Sequence, residues 1–279
     1  MRLDQFPELD QDTEEGTDVT EALRVTKYEI PQHQPGMPNR TKDRSKLVGV
    51  QSMLGTITDH NRPEGVPHTD ESRIQSVPWL LKEFEGKDYY FTLKMDGTSL
   101  TIYCINGVVG ACSRKCTVSV DEENLATKII NKYDLFKKLP AHFGSENVAI
   151  QGELCGPGIQ GNRAKLRDHD WFVFDIFSIT ENSYREFERL VSDVDSLKLT
   201  DAPLIECGET FKAHQNQEYW LSKAAAATYN SEQIAMRETN AKPTPAEGIV
   251  VRTEHGFTAK GQRSSFKTIN NKYLLKYDE

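Results

Sequence analysis

Three short runs of aromatic and β-branched residues between Tyr89 and Ser113 are set apart by turn sequences, and they limit this chain more than any other feature. YYFTLK (89–94) runs into MDGT, SLTIYCI (99–105) runs into Asn106-Gly107, and Val108–Ser113 follows directly. Such side chains suit a pleated surface, and Asp-Gly and Asn-Gly supply tight turns. The spacing predicts three strands joined by turns. Val148–Leu154, Trp171–Ile179 and Gly248–Thr253 are further strand candidates. Asp121–Leu139 has helical spacing at Leu125, Ile129, Ile130, Tyr133 and Phe136, with acids in the first turn and lysines in the last. A second, Ala-rich helix is expected over Gln217–Arg237, stopped by a Pro-x-Pro break. Many short strands with two interposed helices give an α+β fold.

Residues 1–46 do not share this pattern. They are acidic, then rich in Pro, Gln, Lys and Arg, without a sustained apolar period, so a tail or linker is expected there and a folded domain over 47–279. Residues 1–30 carry nine acids against three bases, so most of the net charge of -8 sits in them and the rest is nearly neutral. Net charge therefore does not exclude a polyanionic partner, because the local field steers it. The segment 260–277 holds Lys260, Arg263, Lys267, Lys272 and Lys276 and no acid. No stretch approaches the eighteen or so apolar residues of a spanning helix, and the N-terminus has no apolar signal core. No membrane partner and an intracellular setting, cytoplasmic or nuclear, are expected. Of the five cysteines only Cys112 and Cys116 are close in sequence, without a matching Cys or His pair downstream, which favours reduced thiols over a zinc site. The oligomeric state is left open.

The chemistry concentrates at Lys94-Met95-Asp96-Gly97, at a strand end and turn. A lysine is a good nucleophile only when neutral, and its ordinary pKa is about 10.4. A site that uses Lys94 is expected to depress that value by burial or by nearby positive charge such as a metal. Gly97 lets the backbone bend close to a ligand with no Cβ in the way. Other segments follow in order: Gln151-Gly-Glu153-Leu-Cys-Gly156, the aromatic run Trp171–Ile176 containing Phe174 and Asp175, Ala246-Glu247-Gly248-Ile-Val-Val-Arg252, and Ser265-Phe-Lys267.

This ordered series resembles the covalent nucleotidyltransferases, the superfamily of ATP-dependent ligases and mRNA capping enzymes. Within it the chain looks most like the RNA ligases of the Naegleria type. Pro67-His-Thr-Asp-Glu-Ser-Arg-Ile-Gln75 resembles the segment that precedes their nucleophile. Gly156-Pro-Gly-Ile-Gln-Gly-Asn162 resembles a Gly-rich stretch, and Phe266–Lys276 resembles their C-terminal end. The resemblance covers about residues 65–277 and does not reach the acidic tail. The family's Lys-x-Lys is here Lys267-Thr-Ile269, with Lys272 and Lys276 as alternative second cations. Naegleria-type enzymes carry an OB domain ahead of the transferase domain, and residues 1–46 are not expected to build one.

The resemblance implies an adenylation domain of two antiparallel sheets flanked by helices, with the nucleotide between them. It implies a ligase that joins RNA 3′-hydroxyl and 5′-phosphate ends, or seals a nicked duplex, through a lysyl-AMP intermediate on Lys94, as in RNA repair. ATP and Mg2+ are the implied cofactors, with Mn2+ as a substitute. Asp96, Glu153 and Glu247 are the implied metal carboxylates, since magnesium takes oxygen ligands and retains waters. Lys267 and Arg73 are expected on phosphate, Arg114 at the ribose, Phe174 stacked on the base, and Thr92 among the ATP contacts. The competing readings are a DNA ligase or GTP-using capping enzyme, and an inactive nucleic-acid-binding relative. The Thr69-Asp-Glu-Ser-Arg-Ile-Gln75 segment weighs against the first, and intact Lys94, Glu153, Glu247 and Lys267 against the second.

Overall fold

The computed structural model describes Thr17, Val19, Ala22 and residues 53–257 and 263–277. The chain falls into two units, Met1–Asp43 and Arg44–Glu279, and the elements below belong to the second. The expected tail therefore lies outside the described residues, those three apart.

One sheet is built around the run that opened the sequence. Strands β1 (Ile57–Asp59), β2 (Asp88–Lys94), β3 (Thr98–Ile105), β4 (Val108–Cys112) and β5 (Thr117–Val118) come first, then β6 (Val148–Cys155), β7 (Asp170–Ser178), β8 (Ser183–Tyr184) and β9 (Thr200–Asp201). The sheet order is β1-β5-β4-β3-β6-β7-β8, with β9 parallel beside β7 and every other pairing antiparallel. Asn106 and Gly107 turn β3 into β4 with φ of 52° and 77°, as a two-residue hairpin requires. Strand β2 is not in this sheet. It joins β10 (Leu204–Thr210), β13 (Gly248–Phe257) and β14 (Arg263–Ile269) in an antiparallel sheet of order β10-β2-β13-β14. The Met95–Gly97 turn thus carries the chain from one sheet to the other. A small ribbon pairs β11 (Thr228–Tyr229) with β12 (Thr244–Pro245).

Helices cover the outer faces. Leu100, Ile102, Ile150, Trp171 and Val173 of the first sheet pack against α2 (Leu125–Lys132), α3 (Leu135–Phe143) and α4 (Phe187–Leu197) through residues such as Ile129, Leu139 and Val194. Phe91, Leu93, Ile249, Val251 and Phe266 of the second pack against α1 (Leu80–Phe84) and α5 (Gln217–Ala226). Trp220 of α5 is fully buried, with Tyr89, Phe91, Phe211 and Phe266 all within 5.7 Å of its ring centre. Each such apolar side chain contributes about 2–3 kcal/mol on burial. Because strand side chains alternate, these outward faces leave Tyr90, Thr92, Lys94, Val250, Arg252 and Lys267 on the opposite face of the second sheet. A last helix, α6 (Asn271–Tyr277), follows β14.

Two helix expectations need correction. The predicted Asp121–Leu139 helix starts at Leu125, where Asn124 forms a reciprocal capping box with Thr127, and it breaks at Asp134, whose φ is 56°. That break resets the periodicity, so Leu135, Leu139 and Phe143 are buried while Phe136 is 45% exposed. The Ala-rich helix ends at Ala226 rather than Arg237, because Tyr229 is wanted in the core, where its hydroxyl donates to Lys94 O at 2.7 Å.

Candidate active site

The inner ends of β2, β6 and β13 bring the motif residues together. Lys94 ends β2, and Gly248 pairs with it in register, which sets Glu247 alongside. Lys94 Nζ donates to Glu247 Oε2 at 2.6 Å, with both side chains about one-fifth exposed. Glu153, on β6, accepts from Gly97 N at 3.1 Å. A Cβ on Gly97 would stand 2.3 Å from Leu154 O and 2.6 Å from Cys155 Sγ, so only glycine allows this approach of turn to strand. Lys267 of β14 lies across from Val250 in register.

Electrostatics there are dominated by crowded carboxylates. Burial pulls the Lys94 pKa down, but Glu247, Glu153 and Asp96 outweigh it and the net shift is upward. Of the two causes expected to depress Lys94, burial acts in that direction, and the facing Glu247 carboxylate acts against it. Burial, with Glu247 and Asp96 nearby, pushes Glu153 up to about 7 despite Lys94 and the Gly97 amide. Burial also raises Glu247. Lys267 is shifted down, by burial first and then by the charge of Lys94.

Asp96 has hydrogen-bond partners of its own. Its Oδ2 accepts from Arg163 Nη1 at 2.9 Å and from the Tyr273 hydroxyl at 2.5 Å. Among the described residues no group of three or more His, Cys, Asp or Glu is arranged to hold a metal ion. The three carboxylates expected as metal ligands are thus not a ready-made cluster: Glu153 and Glu247 flank Lys94, while Asp96 is engaged by Arg163 and Tyr273.

The base-contact candidates lie deeper in the cleft. In β7 the register slips, with Gln151 opposite Asp175 and Gly152 opposite Val173, so Phe174 is the extra residue of a bulge. Phe174 is half-buried, with the Arg252 guanidinium 5.5 Å from its ring centre, and it shares a small cavity with Tyr90 and Thr92. Phe172 instead joins the core of the second sheet. Thr92 is buried and accepts from Arg252 Nη1 at 3.4 Å.

Arg73 and Arg114 are at the rim. Arg73 is exposed and bridges to Lys267 through the backbone, Lys267 N donating to Ser72 O at 2.8 Å. Arg114 is exposed and ion-paired with Asp70. Lys272 is exposed on α6, and the side chain of Lys276 lies outside the described residues.

Sequence reasoning gave no role to the groups that tie the sheets together. Arg252 Nε donates to Asp175 Oδ2 at 3.1 Å and its Nη2 to Glu71 Oε1 at 3.4 Å, while Ser265 Oγ donates to Glu71 Oε2 at 2.5 Å. All three charged side chains are at most 8% exposed. Glu71 belongs to a strap, residues 67–74, that crosses from one sheet to the other. Its Pro67 O accepts from Arg62 Nη2 and Gln151 Nε2, and its Thr69 hydroxyl meets that of Ser99 at 2.8 Å. Arg163 and Tyr273 also went unnoticed as partners of Asp96.

A family model described as RNA ligase matches residues 87–269, which take in Lys94, Glu153, Glu247 and Lys267. The chain belongs to the RNA ligase family. Solved structures of Naegleria gruberi RNA ligase are similar over 99% of this chain. An apo mutant has a TM-score of 0.68 at 27% identity over 71% of its own chain. A mutant with ATP and Mn gives 0.68, 27% and 72%, and the enzyme with PPi gives 0.66, 27% and 71%. The similarity thus runs past the residues 65–277 covered by the resemblance. No curated protein matches the chain. The nucleotidyltransferase fold expected from the motifs is the fold observed. Among the described residues no helix is long and apolar enough to cross a membrane.

Proposed function

We propose that this RNA ligase family member joins RNA 3′-hydroxyl and 5′-phosphate ends at the expense of ATP, with Lys94 as the site of a covalent AMP adduct. The observation that carries the reading is the position of Lys94 Nζ, 2.6 Å from Glu247 Oε2 with Glu153 and Lys267 around it, in the cleft face of the second sheet. The neighbours solved with ATP and Mn, and with PPi, support the same substrate and by-product for this chain.

In the first step Lys94 Nζ, having lost a proton, attacks the α-phosphorus of ATP; the N–P bond forms, the bond to the β-phosphate oxygen breaks, and pyrophosphate leaves. A 5′-phosphate oxygen of the RNA then displaces Lys94 and takes the AMP. Finally the RNA 3′-hydroxyl attacks that phosphate and AMP departs.

The donor set suits a divalent cation: Glu153 and Glu247 offer carboxylate oxygens, and burial first, then the neighbouring Glu247 and Asp96, raises Glu153 to about 7. Such an ion, held by one or both glutamates, by their waters and by substrate phosphates, would supply positive charge beside the α-phosphate. Glu247, once turned from Lys94, no longer holds its proton, and burial then lowers the amine's pKa. Lys267, on the adjacent strand, is suited to the α-phosphate, and exposed Arg73 beside it to the outer phosphates or the RNA end. Phe174, which shares a small cavity with Tyr90 and Thr92, is suited to the adenine ring. Intracellular RNA, as free ends or a nicked duplex, is the proposed partner.

The test is incubation with Mg2+ and ATP labelled at the α-phosphate, in parallel with labelled GTP, followed by denaturing electrophoresis. The expected result is acid-labile, base-stable label from ATP. Label from GTP alone would transfer the reading to a capping-type enzyme, and none from either to an inactive binding protein.

A further inference from the structure

We propose that Arg163 and Tyr273 are positioning residues that clamp the Asp96 carboxylate and thereby fix the turn that carries Lys94. The inference rests on the proposed function in assigning Lys94 the reaction.

Asp96 follows Lys94 by two residues and shares a crowded anionic site with Glu153 and Glu247. A carboxylate in that company is repelled from its neighbours unless something holds it. Two groups do. The Tyr273 hydroxyl and Arg163 Nη1 both donate to Asp96 Oδ2. Arg163 also bonds the Tyr273 hydroxyl, and its guanidinium lies 5.1 Å from the Tyr273 ring centre. Tyr273 is 5% exposed.

Both arms are delivered by segments built for the purpose. Arg163 comes from the 156–165 loop, in which three non-glycine residues, Gln160, Asn162 and Lys165, have φ between 44° and 57°. Strain of this kind persists only where surrounding contacts enforce it. Asn162 supplies such contacts, its side chain bonding both N and O of Leu166 at 2.9 Å, and Thr244 Oγ1 donates to Arg163 O at 3.0 Å. Tyr273 comes from α6, whose start is tied to the residue that pairs with Lys94: buried Asn270 donates from its backbone to Glu247 O at 2.8 Å and from its side chain to Ala246 O at 3.2 Å. The C-terminal helix therefore anchors at Glu247 and reaches back to Asp96, spanning both sides of the Lys94–Glu247 pair. A tie that served only to dock α6 would not need to end on a carboxylate two residues from the nucleophile.

Tyr273→Phe tests this, because it keeps the ring and removes the hydroxyl. Single-turnover labelling from ATP should slow by about tenfold, the effect of one lost bond to a charged group. KM for ATP should stay within about twofold, and the melting temperature should fall by no more than a few degrees. Independently of activity, amide exchange at Gly97, whose N–H is held by Glu153, should speed up while the β3–β6 ladder keeps its protection. Labelling at the wild-type rate, or slowing that comes with faster exchange throughout the second sheet, would overturn the proposal. Should that variant fail to fold, Arg163→Lys makes the same comparison. If the unaltered protein takes no label, the proposed function fails, and Gly97 exchange alone then decides the clamp, unchanged exchange overturning it.

Discussion

At the scale of single residues the proposed role of Lys94 sets the central chemical problem, because the amine would have to lose a proton beside the carboxylates that retain it. Burial, with Glu247 and Asp96 nearby, raises the Glu153 pKa to about 7. A raised carboxyl pKa favours the folded state at low pH. The contribution is complete below about 4.5 and is lost as pH rises through 7. Glu153→Gln should therefore be more stable than the unaltered protein above pH 7 without divalent metal, and the advantage should vanish below about pH 5. Melting curves at the two pH values check this; equal differences at both would contradict it. Lys94, Glu153, Glu247 and Lys267 were legible because their motifs are contiguous and ordered along the chain. Arg163 and Tyr273 were not, because they meet Asp96 across 67 and 177 positions, and no local pattern encodes such a meeting.

Among the elements, the strands were read well and the helices less so. The turn sequences at Gly97 and Asn106-Gly107 dictate their geometry locally. The end of α5 is set instead by Tyr229, a residue that helix propensity alone would have left in the helix, and the break before α3 is set by a left-handed Asp134. Tertiary burial overrides propensity in such places. The β7 bulge was likewise invisible in sequence, yet it brings both Phe174 and Asp175 to Arg252. Arg252 pairs with carboxylates from β7 and from the strap, so Arg252→Leu would deprive two buried acids of their cation. The expected loss is about 3–5 kcal/mol in urea unfolding. A loss below about 1 kcal/mol would mean that the network does not hold the sheets.

For the domain as a whole, two sheets with helices outside leave polar inner faces toward each other, and the 67–74 strap and the Asp175–Arg252–Glu71 network set their separation. That cleft is what one chain segment, Lys94–Thr98, crosses from sheet to sheet, and it explains why Lys94, Glu153, Glu247 and Lys267, scattered along the chain, share one site. The most direct measurement is mass spectrometry of peptides from the protein after reaction with ATP and Mg2+, with Lys94→Met as the companion. The account predicts one AMP adduct, on Lys94, and none in the variant. An adduct on Lys115, Lys267 or any other lysine, or one that persists in Lys94→Met, would contradict it.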